Sequence, residues 1–240
     1  MYVSFFIFFQ VKCSGDNAPA PAASFESMGL RQLLRDNIEK SGYKKPTPIQ
    51  KYAIPIIANK RDLMACAQTG SGKTAAFLLP ILHNILEDEC DPHSGDCPQK
   101  PQAVVVAPTR ELALQIKEEA RKFALQSVAK AVVAYGGTST GYQLSQLFKG
   151  CNVLIATPGR LMDFVEKGKV SFEDCRYLVL DEADRMLDMV STSSPLKHFI
   201  HTNLLSNLTG ISTRNATHCK PLYDASERKE ANIDVFCYLC

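Results

Sequence analysis

Three things are scarce in this sequence, and each removes a class of answer. Charge of either sign is not in surplus: 27 Lys and Arg stand against 25 Asp and Glu in 240 residues. A bulk basic field that would draw polyanions is therefore excluded, and any anion binding must come from individually placed groups. Long apolar runs are missing too. Tyr2–Phe9 is apolar but only eight residues long, whereas a bilayer span needs about 20. It also lacks the basic flank of a signal peptide and a small-residue cleavage site after it. Cysteine pairs at zinc spacing are the third absence. The nine cysteines (13, 66, 90, 97, 151, 175, 219, 237 and 240) are odd in number and scattered. Cys90 with Cys97, or Cys237 with Cys240, has no matching second pair, so a zinc finger is excluded. The pattern reads as reduced thiols in an intracellular protein, not as a disulfide framework.

What remains is a chain that is 45% apolar, enough for a sizeable core. Residues 13–24 are small, polar and Pro/Ala-rich, which predicts a flexible lead-in. Apolar spacing predicts helices over Leu30–Ile38 and Ile49–Ile57, separated by the breaker Gly42–Pro48. Strands are expected at Leu63–Cys66, Ala103–Ala107, Ala131–Ala134, Val153–Ala156 and Tyr177–Leu180. Helical patterns alternate with them at Ala75–Glu87 (with Pro80 as a kink or early stop), Glu111–Leu125, Tyr142–Phe148 and Arg160–Glu166. Continuous apolar strands alternating with helices predict a parallel sheet with helices on both faces. Ligands in such sheets bind at the carboxyl ends of the strands. After Val190 the alternation stops. Only a weak helical stretch at 197–208 and a lone strand at Ile233–Leu239 are expected there. The sequons at Asn207 and Asn215 are chance matches in an intracellular chain.

The first strand leads into Ala67-Gln68-Thr69-Gly70-Ser71-Gly72-Lys73-Thr74. Strand, glycine-rich turn, Lys-Thr and helix is the order of a phosphate-cradling loop. Gly70 and Gly72 let backbone N–H groups turn inward, and the helix start offers further N–H groups and a partial positive charge. Lys73 can reach the outer phosphates and the Thr74 hydroxyl can sit on Mg²⁺. Ala67 stands where the generic pattern has its first glycine. The plainer alternative, a Gly-Ser surface turn, is disfavoured by the strand and helix on either side.

Tyr177–Leu180 delivers Asp181-Glu182-Ala183-Asp184 at a strand end. A buried strand finishing in two carboxylates is costly unless a cation or water uses them. Beside a phosphate loop, Asp181 can hold Mg²⁺ through water and Glu182 can orient and deprotonate an attacking water. The alternative is an ordinary acidic helix start.

Five motifs in fixed order now stand together: AQTGSGKT at 67–74, PTREL at 108–112, GG at 136–137, TPGR at 157–160 and DEAD at 181–184. The stretch from Ser24 to Met189 resembles the N-terminal RecA-like domain of DEAD-box ATP-dependent RNA helicases. Its wording is most similar to the Vasa branch, with the DDX3/PL10 type as second choice. The resemblance implies an α/β, RecA-like P-loop NTPase domain over 24–189, after a flexible or aberrant lead-in at 1–23. It also implies ATP and Mg²⁺ as cofactors, and RNA as partner with little sequence preference. Ala67 now matches the family's own spelling. Residues 42–50 resemble the family's adenine-reading motif, with Tyr43, Lys45, Thr47 and Gln50 in it and Phe25 seventeen positions before Gly42. The Gln50 amide suits the adenine edge, since it donates and accepts at once; Phe25 could equally be a hydrophobic anchor. Pro108, Thr109, Arg110, Gly136, Gly137, Thr157, Pro158, Gly159 and Arg160 resemble the RNA-facing motifs, although such residues are also common in plain strand-to-helix turns. The implied localisation is cytoplasmic, in germ-line ribonucleoprotein granules.

The sequence departs from the family after Met189. A strand bearing Ser-Ala-Thr, and then a second RecA-like domain whose arginines complete the ATP site, are expected there and do not occur. Residues 190–240 read as an unrelated tail. Phe5–Gln10 is what a pyrimidine tract ending in CAG would encode, and Val190-Ser191 is what GTAAGT would encode, so both ends are expected to be translated intron; a splice isoform with a private tail is the alternative. The missing strand normally lies between the phosphate-loop strand and the DEAD strand, so the domain is expected to be incomplete at its C-terminal end, with two central strands left without their shared neighbour (a gap that Ile233–Leu239 would fill only by chance) and the chain marginal or misfolded alone. The implied function is RNA-stimulated ATP hydrolysis coupled to local duplex unwinding, with this chain inactive by itself. A non-hydrolysing ATP/RNA-binding fragment is the alternative. A different P-loop ATPase, such as a DNA helicase or chromatin remodeller, is disfavoured by the Gln50 motif and the spelling of 181–184.

Overall fold

The computed structural model describes residues 11–14, 17–88, 95, 97–183 and 185–186, together with the backbone of 235–239. In chain order these form a 3-10 turn at Glu26–Met28, α1 (Gln32–Lys40), α2 (Pro48–Ala58), β1 (Leu63–Ala65), α3 (Lys73–Glu87), β2 (Ala103–Val106), α4 (Arg110–Phe123), β3 (Ala131–Ala134), α5 (Thr140–Leu147), β4 (Val153–Ala156), α6 (Pro158–Glu166), β5 (Tyr177–Asp181) and β6 (Val235–Leu239). Residues 1–10, Asp184, the stretch 197–208 and both sequons lie outside the described residues.

The strands lie in one sheet in the order β1-β6-β5-β2-β4-β3. β2 pairs in parallel with β4 and β5, and β3 in parallel with β4. Successive side chains of a strand point to opposite faces, and both faces here are covered. Ala103, Val105, Val153, Ile155, Tyr177 and Val179 join the core on one side, with Leu34 of α1, Ile54 of α2, Phe77 of α3 and Ile116 of α4. Val104, Val106, Leu154, Ala156 and Leu178 join the other core, with Leu147 of α5 and Leu161 and Phe164 of α6. Every residue of β2 and β4 is buried. The unbroken apolar runs of the sequence follow from this double coverage.

Three expectations need correction. Of the two readings of Pro80, the early stop is ruled out, because α3 runs through it to Glu87 as expected. A proline inside a helix costs about 3 kcal/mol. Phe77, Leu78, Leu79, Ile81 and Leu82 around it are fully buried, and each such side chain contributes about 1.5–3 kcal/mol, so burial wins. The lead-in is tied down earlier than its composition suggests. The Ala22 N–H donates to the Lys51 carbonyl at 2.9 Å.

The third correction concerns the sheet, which is mixed rather than wholly parallel. The strand expected to stand alone near the C-terminus is seated between β1 and β5, antiparallel to both. β6 thus occupies the position between those two strands. Backbone groups at the facing edges of β1 and β5 require partners. An uncharged run without Pro or Gly, Val235-Phe236-Cys237-Tyr238-Leu239, supplies them.

Among the described residues no helix is long and apolar enough to cross a membrane. Cys13, Cys97 and Cys151 are free thiols. Burial pushes the Cys151 thiol up to about 12, which makes it a core side chain and not a nucleophile. If α3 is the central packing element, Phe77→Ala should lower the unfolding free energy by about 3–5 kcal/mol, as read from urea denaturation followed by circular dichroism.

Candidate functional site

The register of the sheet gathers the motifs. Val106 of β2 is level with Ala156 of β4 and Leu180 of β5, and Ala134 of β3 is level with Ala156. At the far side, Val235 pairs with both Ala65 of β1 and Asp181 of β5. The residues that follow β1, β2, β3, β4 and β5 therefore leave the sheet at one edge. These are the phosphate loop, Pro108-Thr109-Arg110, Gly136-Gly137, Thr157–Arg160 and Glu182.

In the phosphate loop Gln68, Thr69 and Gly70 are exposed, while Ala67, Ser71, Lys73 and Thr74 are half-buried. The Ser71 N–H donates to the Gln68 carbonyl at 3.1 Å and closes the turn. Lys73 Nζ donates to the Ala67 carbonyl at 2.8 Å. An ammonium that holds one oxygen acceptor of its own loop can hold a phosphate oxygen in its place. Gly72 caps α3 with φ of +90°, a conformation that favours glycine. A Cβ there would lie 2.4 Å from Gln50 Nε2.

That approach reflects how Gln50 is used. The side chain is fully buried. Its Oε1 accepts from the Thr47 N–H at 3.0 Å and its Nε2 donates to the Gly72 carbonyl at 3.1 Å. Both ends of the amide thus lock the start of α2 to the phosphate loop. Phe25 is also turned inward, at 5% exposure, and meets Tyr43 edge-on with ring centroids 6.5 Å apart. Tyr43 in turn meets Phe123 at 5.7 Å, and its hydroxyl donates to Glu119 at 3.1 Å. Lys45 is exposed and Thr47 half-buried.

Asp181 is 3% exposed at the end of β5. Glu182 follows with φ of +53°, a left-handed conformation worth about 1–3 kcal/mol of strain for a residue with a side chain. The turn is held by the Met186 N–H on the Glu182 carbonyl at 3.2 Å and by Arg185 on the Glu182 carboxylate at 3.0 Å. The donor set fits Mg²⁺: Thr74 and Asp181 offer hard oxygen atoms and no soft ligand stands among them.

The remaining turns are more self-contained than their residue types suggest. The Thr109 hydroxyl caps α4 by accepting from the Leu112 N–H at 3.2 Å. The Arg110 guanidinium lies 4.7 Å from the centre of the Tyr135 ring. The Arg160 side chain is only 10% exposed, and it donates to Gln143 Oε1 at 3.2 Å and to the Thr138 carbonyl at 3.1 Å. Gln143, which motif reading missed, is the hub of this turn. Its amide accepts from the Tyr135 N–H at 3.1 Å and donates to the Tyr135 carbonyl at 2.9 Å and to Thr138 Oγ1 at 2.6 Å. It thereby fixes both sides of Gly136-Gly137. Arg185 and Glu119 were missed as well. Only the i, i+3 spacing of Glu182 and Arg185 gave a signal.

A glycine-rich loop with its lysine at a helix start, level with an acidic strand end in a doubly covered sheet, defines a RecA-like P-loop domain. The chain belongs to the DEAD/DEAH box helicase family, whose model matches residues 47–214. It is 60% identical over 182 residues to a probable ATP-dependent RNA helicase, vasa-like, of Penaeus vannamei, covering 75% of this chain and 26% of that one. It is 59% identical over 179 residues to ATP-dependent RNA helicase vasa of Drosophila melanogaster, again over 75% and 26%. The chain thus spans about a quarter of the length of the curated relatives it matches. In structure it is similar to the RNA-helicase Prp28 from Chaetomium thermophilum bound to ADP, with a TM-score of 0.69 and 36% identity, over 94% of this chain and 53% of that one.

The Tyr43 contact gives a pH signature. Burial, reinforced by the Glu119 charge, pushes the phenol up to about 12, against about 10 in an unfolded chain. The fold favours the protonated phenol, so this contribution is complete below pH 10 and is lost as pH rises from 10 to 12. Urea midpoints measured across that window should fall further for the parent chain than for Tyr43→Phe.

Proposed function

We propose that this chain is the ATP-binding core of an ATP-dependent RNA helicase, and that the nucleotide phosphates lie between the Lys73 loop and Asp181. The observation that carries this reading is the level placement of those two groups at the ends of β1 and β5. In it, Gln68–Thr74 wrap the phosphates, Lys73 exchanges the Ala67 carbonyl for a phosphate oxygen, and Thr74 and Asp181 hold Mg²⁺, the latter through water. The metal, when bound, neutralises charge on the outer phosphates. Glu182, oriented by Arg185, takes a proton from the attacking water. Phe25, Tyr43, Lys45, Thr47 and Gln50 border the adenine side; with Thr47 and Gly72 each taking one bond of the Gln50 amide, its second N–H and second oxygen lone pair are the groups left to read the base.

RNA lies across Pro108–Arg110, Gly136-Gly137 and Thr157–Arg160. Backbone N–H groups and arginines at helix starts favour phosphate contacts over base contacts. Arg160 and Gln143 hold the Gly136-Gly137 turn in shape for that strand. Unwinding belongs to the full-length protein. These 240 residues assayed alone are expected to bind nucleotide and RNA without sustained turnover. Likeness to vasa relatives supports a cytoplasmic place in germ-line granules, which immunofluorescence in germ cells would test by coincidence with granule RNA.

The kinetic test separates binding from chemistry. In protein extended to the length of the relatives, Lys73→Ala should weaken Mg·ATP binding by about tenfold or more, since a charged hydrogen bond is lost. Glu182→Gln should leave binding within about twofold and lower RNA-stimulated phosphate release by about 10²–10⁴. Equal turnover in Glu182→Gln would contradict its role. RNA-stimulated release from the 240 residues alone would contradict their assignment as a binding unit.

A further inference from the structure

The strand that completes the sheet is also the one that joins the two halves of the nucleotide site. Among the described residues β1 has a single strand neighbour, β6. β6 pairs along both of its edges: Val235 with Ala65 and Asp181, Phe236 with Met64 and Leu180, and Cys237 with Leu63 and Val179. Tyr238 and Leu239 continue along β5 to Leu178 and Tyr177. β1 carries the phosphate loop and β5 carries Asp181. With neighbouring strands about 4.8 Å apart, β1 and β5 are held one strand's width from direct contact. Val235 is the rung between their two site-bearing ends.

We propose that Val235–Leu239 is the positioning element of the nucleotide site, and that the slot between β1 and β5 is a binding site for an extended, uncharged peptide, filled by the chain's own C-terminal strand. The slot selects backbone hydrogen bonds on two edges at once, so its occupant must be extended and free of proline. Its β5 wall is buried at Tyr177, Leu178 and Val179, which favours an apolar run such as Val-Phe-Cys-Tyr-Leu. Direction is not prescribed, since edge N–H and C=O groups accept either sense and the antiparallel ladder is slightly the more stable. Because the slot spans Lys73 and Asp181, its occupancy sets their separation and with it the affinity for Mg·nucleotide. This last step rests on the nucleotide reading above; the strand placement does not.

Hydrogen exchange and Mg·ADP titration on the full 240-residue chain test both parts. Those amides of Leu63–Ala65 that point toward β6 should exchange as slowly as those of the β2–β5 ladder. Cys237→Pro should speed exchange at 63–65 and weaken Mg·ADP binding by about tenfold, the worth of one or two ladder bonds. A synthetic peptide of residues 233–240, kept reduced, should restore both with saturation. Fast exchange of the β6-facing amides of β1 in the unaltered chain overturns the proposal, even if the proline variant fails to fold. An unchanged Mg·ADP affinity in Cys237→Pro, or a peptide without effect on it, overturns the positioning role and the peptide site respectively. Protected amides in a chain that does not bind Mg·ADP would support the slot while overturning the nucleotide reading.

Discussion

The shared register of β2, β4 and β5 is the constraint on which the rest depends. Each parallel pair is locked by side chains that alternate between two cores, so a slip of one residue would exchange every inward group between faces. Val104 and Val105 already belong to different clusters. With the strands level, the loops that follow them must leave at one edge. Chemistry carried by five separate segments is thereby concentrated without any of those segments being adjacent in sequence.

Loops placed in this way still need shape, and here it comes from buried amides. Gln50 ties α2 to the phosphate loop through Thr47 and Gly72. Gln143 ties α5 to the turn at Gly136-Gly137 through Tyr135 and Thr138. Both side chains are almost wholly removed from water, where an unmet amide would cost about 1–3 kcal/mol. Each therefore penalises any loop conformation that breaks its bonds. Asn37 plays a comparable part away from the site, since its amide donates to the Phe123 and Leu125 carbonyls at 2.8 Å and closes the end of α4.

Much of this was legible in the sequence, and for identifiable reasons. The strands and helices between Leu63 and Glu166 announced themselves by apolar period, because each buries a defined face. The phosphate loop and Asp181–Glu182 were legible because glycine, lysine and paired acids have few other uses at strand ends. At Pro80 the sequence left a kink or an early stop open, because local propensity was weighed without the burial around Phe77 and Leu79. Gln50, Arg160 and Gln143 were harder. A polar side chain announces what it can bond to, but only the fold decides whether it faces a ligand or its own backbone. The seat of Val235–Leu239 was the least legible of all. Strand pairing between Ala65, Val235 and Asp181 is a contact of long sequence separation, and the local pattern of five apolar residues carries no information about direction or neighbours.

The central claim is that one chain brings the Lys73 loop and Asp181 onto the same nucleotide. A double-mutant cycle tests it most directly: Mg·ATP affinity of the 240-residue chain measured for the parent, Lys73→Ala, Asp181→Asn and the pair. Groups that share one ligand should be non-additive, with a coupling of about 0.5–3 kcal/mol. Strict additivity, with each substitution acting as though the other were absent, would contradict the account.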